Sequence, residues 1–350
     1  MLSTPPPPST HLPWWRWINL LALDAVVVAL VWLEVFAKMT GARLDFVEFA
    51  ALAVAVWVIY GADRLLDSRI PPDENACRER HWFTARQARW LVPVALGLLV
   101  LMCWWSLHHM RQAVFRGGAQ LALGVMVYFG ILAASRRRPA SMPLLLVVAP
   151  VMTGLLLSPV LPGLLLREQG QGNGALWPQA WRAAGAGLLM LTLLMGMRKR
   201  LKEPPPWTLF RKVMGGFLFA RGVALAPLMH FDNGAESLWQ APVLLFGGAC
   251  ALNSLGIRLW EHCDRNDAES RLLRRLYPWM GLIVAGGAIS EAAVADEWTR
   301  PVLGAVAGCA AGLLLLNSLR SRLSAPVLLA LADAVVLLSG LGALIFLNRL

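Results

Sequence analysis

The chain has 350 residues, of which 57% are hydrophobic and only 15% charged, with a mean hydropathy of +0.57 and a formal charge of +11. Soluble domains carry about 25% charged residues, so these figures exclude an ordinary globular fold in water. The arginines and lysines lie in short loops between apolar runs, which makes the charge a topological signal and excludes nucleic acid as a partner.

In chain order, MLSTPPPPSTHLPWWRW reads as a Pro-rich tail over 1–17, without the pattern of a cleaved signal peptide. About eleven apolar runs near spanning length follow, at 18–38, 46–66, 88–107, 115–135, 142–161, 181–197, 214–231, 240–262, 277–294, 301–317 and 326–347. In lipid a spanning backbone must satisfy its own hydrogen bonds, so the expected class is all-α, a polytopic transmembrane helical bundle over 18–350.

Basic loops alternate with loops poor in base. Arg64, Arg69, Arg78, Arg80, Arg86 and Arg89 follow the second run, Arg136–Arg138 the fourth, and Arg198, Lys199, Arg200, Lys202, Arg211 and Lys212 the sixth. Arg265, Arg271, Arg274 and Arg275 follow the eighth, and Arg320 and Arg322 the tenth. The pattern predicts an integral protein of a bacterial inner membrane with a cytoplasmic amino terminus. Pro143, Pro150, Pro159 and Pro162 leave open whether 142–161 crosses fully, and one missing crossing there would invert the later half.

Gly304, Gly308 and Gly312 form overlapping GxxxG patterns that predict close helix packing. Trp14, Trp15, Trp17 and Trp298 suit an interfacial belt. Five scattered cysteines without a CxxC predict neither disulfides nor zinc. His108 and His109 adjoin an outer loop and receive no role, and no GxxxxGK[ST] or GxSxG is present. Asp24, Glu34, Arg221, Asn253, Arg258 and Asp333 fall inside apolar runs, where exposure to lipid is costly, so they are expected in the bundle interior or at an interface. Asn253 is the preferred cavity residue, with an interhelical hydrogen bond as its alternative.

Two acidic clusters carry the chemical reading. The second run ends WVIYGADRLLDSR, placing Asp63 and Asp67 four residues apart on one helical face, flanked by Arg64 and Arg69, with Arg80-His81 in the loop beyond. The eighth ends NSLGIRLWEHCDRND, placing Glu261, Asp264 and Asp267 at successive i, i+3 steps. Two facing carboxylate clusters are how a protein holds Mg²⁺ against a diphosphate, since Mg²⁺ prefers a few carboxylates, waters and phosphate oxygens. The structural alternative is a pair of helix ends whose charges are solvated or paired locally, as Arg258 with Glu261.

With these motifs the sequence resembles the UbiA-type intramembrane prenyltransferases, which carry one Asp-rich motif at the end of the second helix and another before the last three. Laid over the family's NDxxDxxxD, IYGADRLLD keeps acids at Asp63 and Asp67, while Ile59 and Tyr60 replace the initial Asn-Asp. WEHCDRND keeps the acidity of the second motif but not its DxxxD spacing. RHWF, KVMGGFLFARGVALAP, NSLGIRLWE and ALADAVVLLSG add to the likeness to divergent bacterial members. The resemblance implies a nine-helix core with an inserted helical hairpin at 142–197. It also implies Mg²⁺ held by Asp63, Asp67, Glu261, Asp264 and Asp267, with Asp63, Asp67 and Asp264 catalytic and Arg64, Arg80 and Arg265 on the diphosphate. The reaction would move a prenyl group from an isoprenyl diphosphate to a lipophilic acceptor in the membrane. The alternatives are a family-derived protein that binds a lipid or quinone or serves as an assembly factor, which the missing Asn-Asp favours, and a secondary transporter.

Overall fold

The computed structural model describes residues 21–67, 78–137, 207–230, 240–261 and 268–350. The expected spans 142–161 and 181–197 lie outside them. Nine helices and no strand occur among the described residues: α1 Leu23–Thr40, α2 Phe46–Asp67, α3 Arg78–His109, α4 Gln112–Arg137, α5 Trp207–Met229, α6 Ala241–Glu261, α7 Ala268–Val294, α8 Thr299–Ser318 and α9 Ala325–Leu347. Each contains most of one apolar run, although α3, α5 and α7 begin well before theirs. Six are long and apolar enough to cross a membrane, namely α2, α3, α5, α6, α8 and α9. The fold is thus an all-α polytopic helical bundle. α1 falls short of that measure because Asp24, Glu34 and Lys38 share its 18 residues.

The helix boundaries follow local chemistry. α1 ends at Gly41, whose φ of 68° is the left-handed conformation open to glycine, and the Gly41 and Ala42 amides donate to the carbonyls of Lys38 and Ala37. α2 starts with a reciprocal box: the Glu48 amide donates to the Asp45 carbonyl, and the Asp45 amide donates back to Glu48 Oε2 at 2.9 Å.

The core forms where α1 and α6 meet. Trp32 of α1 stacks on Phe246 of α6 at 4.0 Å between centroids, and its indole N–H donates to the Val336 carbonyl of α9 at 3.0 Å. Phe36 and Phe219 close on the same Phe246 ring. α6 packs against α5, α7, α8 and α9, while α1 packs against α9, α5 and α2. The α5–α6 crossing depends on glycine, because a Cβ at Gly216 would fall 2.7 Å from Ala251 Cα and 2.9 Å from the Gly247 carbonyl. Of the GxxxG glycines on α8, only Gly312 meets another helix, against Val335 of α9; Gly304 and Gly308 face open space.

Helices consecutive among the described elements alternate in direction. Phe46 at the start of α2 lies 5.9 Å from Trp105 near the end of α3, ring centre to ring centre. Gly117 and Leu121 of α4 meet Leu225 and Gly222 of α5, and the Tyr128 hydroxyl, further along α4, donates to the Arg211 carbonyl early in α5. α4 and α5 are therefore antiparallel, so the chain leaves α4 and re-enters α5 at one end of the bundle. α6 runs against α5, with Gly216 beside Ala251 and Phe219 beside Phe246. One end of the bundle thus collects the ends of α2, α4, α6 and α8 and the starts of α5, α7 and α9. Since it also gathers the arginines, it is the basic face.

Candidate functional site

α2 and α5 are joined at both ends, by two contacts of different character. At the basic face Asp63 Oδ1 lies 4.0 Å from Arg211 Nη1, and Asp63 Oδ2 lies 4.0 Å from Lys212 Nζ. These separations exceed hydrogen-bond length, so the attraction is Coulombic. With the Asp63 side chain 32% exposed, each pair contributes at most about 1 kcal/mol. At the opposite face His230 Nε2 lies 3.0 Å from Glu48 Oε1, with the two side chains only 5% and 1% exposed. A protonated Nε2 donates to this carboxylate in the neutral and the cationic imidazole alike. Breaking such a buried pair on one side costs about 3–5 kcal/mol. Energetically the Glu48 end is the structural fastening, and the loose, partly exposed Asp63 end is the one a ligand can enter.

The two acidic helix ends reach the same face. Asp63 sits one turn before the end of α2, Glu261 closes α6, and α5, which packs against both helices, begins there. α2 and α6 themselves are not among the closely packed pairs; α1 and α5 lie between them.

Further into the bundle a polar group gathers from four helices. Asn253 Nδ2 of α6 donates to Asp333 Oδ1 of α9 at 3.1 Å, while Asn253 Oδ1 is buried without a hydrogen-bond partner. Tyr60 of α2 lies in electrostatic range of Asp333, Asp24 and Asp63, and its ring meets Phe219 edge-on at 6.3 Å. The phenol, 36% exposed, sits one turn before Asp63 on α2. The Asn253 amide makes the interhelical bond that was the alternative to a cavity role, and its remaining oxygen is an acceptor still open to a hydroxyl or amide.

Of the residues expected to hold Mg²⁺, Asp63 and Glu261 have described side chains. The side chain of Asp67, and Asp264 and Asp267 entirely, lie outside the described residues, as do Arg265 and the side chain of Arg80. Arg64 is on α2 beside Asp63. No three His, Cys, Asp or Glu side chains converge in a metal-binding group among the described residues. Asp63 faces two cations, and the described residues do not by themselves fit a Mg²⁺ centre.

Sequence reasoning missed four participants. Arg211 and Lys212 stood out only as loop charge, although alternation already put them on the face of Asp63. Glu48 had a signal in the Asp45-x-x-Glu48 spacing of a capping box. His230 had none, since its partner is 182 residues away.

Helices of this length and apolarity, fastened through interior charges, define a polytopic helical membrane protein. No family model, curated protein or solved structure matches the chain.

Proposed function

We propose that the basic face binds an isoprenyl diphosphate, its prenyl chain lying among the helices, and that the protein transfers the prenyl group to a lipophilic acceptor in the membrane. The observation that supports this reading is the arrival of the α2 and α6 acidic ends at one face, with Arg211 and Lys212 at the start of the helix packed against both. These two cations, with Arg64, are placed to neutralise charge that builds on a departing diphosphate, where fixed cations contribute most to lowering the barrier. Tyr60 and the open Asn253 oxygen, deeper in the bundle, are the groups available to orient an acceptor hydroxyl. The dependence on Mg²⁺ is part of the proposal that rests on the motif resemblance.

A second reading, binding of a lipid or quinone without transfer, is favoured by two observations: Asp63 already faces Arg211 and Lys212, and Tyr60 replaces the acid of the motif. One experiment separates the two. The full chain is reconstituted in vesicles with a panel of isoprenyl diphosphates and quinone-type acceptors, with and without Mg²⁺, and diphosphate release and equilibrium binding are measured for the parent and Asp63→Asn. Transfer predicts Mg²⁺-dependent release that falls by on the order of a hundredfold in Asp63→Asn. Binding without release supports the second reading, and neither binding nor release refutes both.

A further inference from the structure

The basic face carries a second group of cations, away from the α2–α5–α6 site. Arg271 and Arg275 are exposed on the first turns of α7, and Arg320 and Arg322 are exposed in the turn between α8 and α9. The register of α7 against α8 sets these pairs at one level. Gly281 of α7 meets Leu314 of α8. Trp260 of α6 touches both neighbours at one level, the Tyr277 ring at 6.2 Å between centroids and Asn317 Oδ1 at 3.5 Å from the indole nitrogen. A few residues nearer the face, Arg275 and Arg320 therefore reach one level, with Arg271 and Arg322 just beyond. Arg320 Nη1 donates to Asn317 Oδ1 at 3.3 Å, which anchors that guanidinium at the rim.

The surface beneath this rim is apolar and continuous with it. Trp279, one turn on from Arg275, is 66% exposed, and Leu282 and Ile283 follow it on the same side of α7, with Leu315 exposed on α8. At the helical rise, Trp279 lies about 6 Å and Ile283 about 12 Å deeper than Arg275. That is the sequence phosphate, interfacial aromatic, hydrocarbon in which a phospholipid meets a protein. Bases outnumber acids at this end of α7: Glu269 and the α6 end at Glu261 accompany Arg271, Arg274, Arg275, Arg320 and Arg322, whereas Glu291, Asp296 and Glu297 lie towards the other end, and Asp333 accepts its hydrogen bond from Asn253 inside the bundle.

We propose that the α7–α8 rim is a binding site for an anionic phospholipid, its phosphate held by Arg275 and Arg320, with Arg271 and Arg322 flanking, and one acyl chain along Trp279, Leu282, Ile283 and Leu315. Guanidinium suits the role because its planar fork pairs two N–H groups with two phosphate oxygens. Four arginines against one headgroup select a lipid with net negative charge, and the apolar strip below selects a lipid over free phosphate.

The test uses the full chain in mild detergent, titrated with phosphatidylglycerol, cardiolipin or phosphatidylcholine, with bound lipid counted by native mass spectrometry. The parent retains the two anionic lipids in preference to phosphatidylcholine. R275Q/R320Q weakens that retention on the order of tenfold, whereas R86Q/R89Q, which removes the same charge from the same face at the start of α3, changes it little. Both variants melt with the parent in phosphatidylcholine, since all these side chains are exposed; if R275Q/R320Q does not, R271Q/R322Q takes its place with the same expected loss. Equal losses in the rim and control variants, no preference over phosphatidylcholine, or complete competition by inorganic phosphate at the same concentration would each overturn the site.

Discussion

Gly215 and Gly216 are adjacent on α5, yet alanine at the two positions should have effects of opposite sign. A Cβ at Gly215 meets nothing within 4 Å, so Gly215→Ala adds only the helical preference of alanine over glycine, a gain of up to about 1 kcal/mol. At Gly216 the same methyl would fall 2.7 Å from Ala251 Cα and 2.9 Å from the Gly247 carbonyl, whereas carbon atoms pack at about 3.5–4.0 Å. Both obstacles are backbone and have no rotamer to change, so α5 and α6 must move apart by nearly 1 Å across the contact that carries Phe219 and Phe246. Overpacking of this kind costs about 1–3 kcal/mol, which exceeds the propensity gain and leaves the two variants roughly 2 kcal/mol apart. Thermal unfolding of both in one detergent reads the difference directly. Gly216→Ala melting at or above Gly215→Ala would refute the close α5–α6 crossing, and with it the placing of Glu261 at the face where α5 begins.

The other predictions concern polar contacts. Glu48→Ala removes both the α2 cap and the partner of buried His230 and should cost about 3–5 kcal/mol in the same unfolding assay, against about 1 kcal/mol for Glu48→Gln, which keeps an acceptor for the Asp45 amide. Equal melting of the two would show that the carboxylate does not hold His230. Asn253→Leu conserves volume while removing the bond to Asp333, and a loss near 1 kcal/mol is expected, since interhelical hydrogen bonds in membranes average below that and reach about twice it. Asp296 accepts from the amides of Thr299 and Trp298 before α8, and the Thr299 amide chiefly holds its carboxyl below the ordinary carboxylate range. A depressed folded-state pKa contributes stability above the unfolded value and loses it as pH falls through the folded one. Protection from hydrogen exchange at the first turn of α8, relative to the unstructured rate at each pH, should therefore persist at neutral pH and fall only below about pH 4, whereas in Asp296→Ala it should be weak throughout.

The helices were legible because burial in lipid leaves a one-dimensional mark: each of the nine described helices follows an apolar run, and alternating arginine loops ordered their directions. The contacts that make the site were not. Periodicity puts Asp63 near the end of a helix, but only tertiary packing brings α5 against it with Arg211 and Lys212. Spacing alone also cannot say whether two acidic helix ends face each other, and here α1 and α5 lie between α2 and α6. The glycines of α8 make the same point. Gly304, Gly308 and Gly312 are equivalent in sequence, yet only Gly312 has a helix beside it. Asn253 was legible as an interior polar residue, while its choice of Asp333 depended on α9 arriving at the matching height.

The twin fastenings of α2 to α5 carry a mechanical consequence. A strut pinned near both tips resists sliding, since a one-turn slip of about 5.4 Å would tear Glu48 from His230 and Asp63 from Lys212 together. Scissoring is opposed mainly at the buried Glu48–His230 end, since the Asp63 contacts are long and partly exposed. The pair is therefore held firmly at its Glu48–His230 end, and a ligand that enters between Asp63 and the two cations parts the helix tips at the basic face alone.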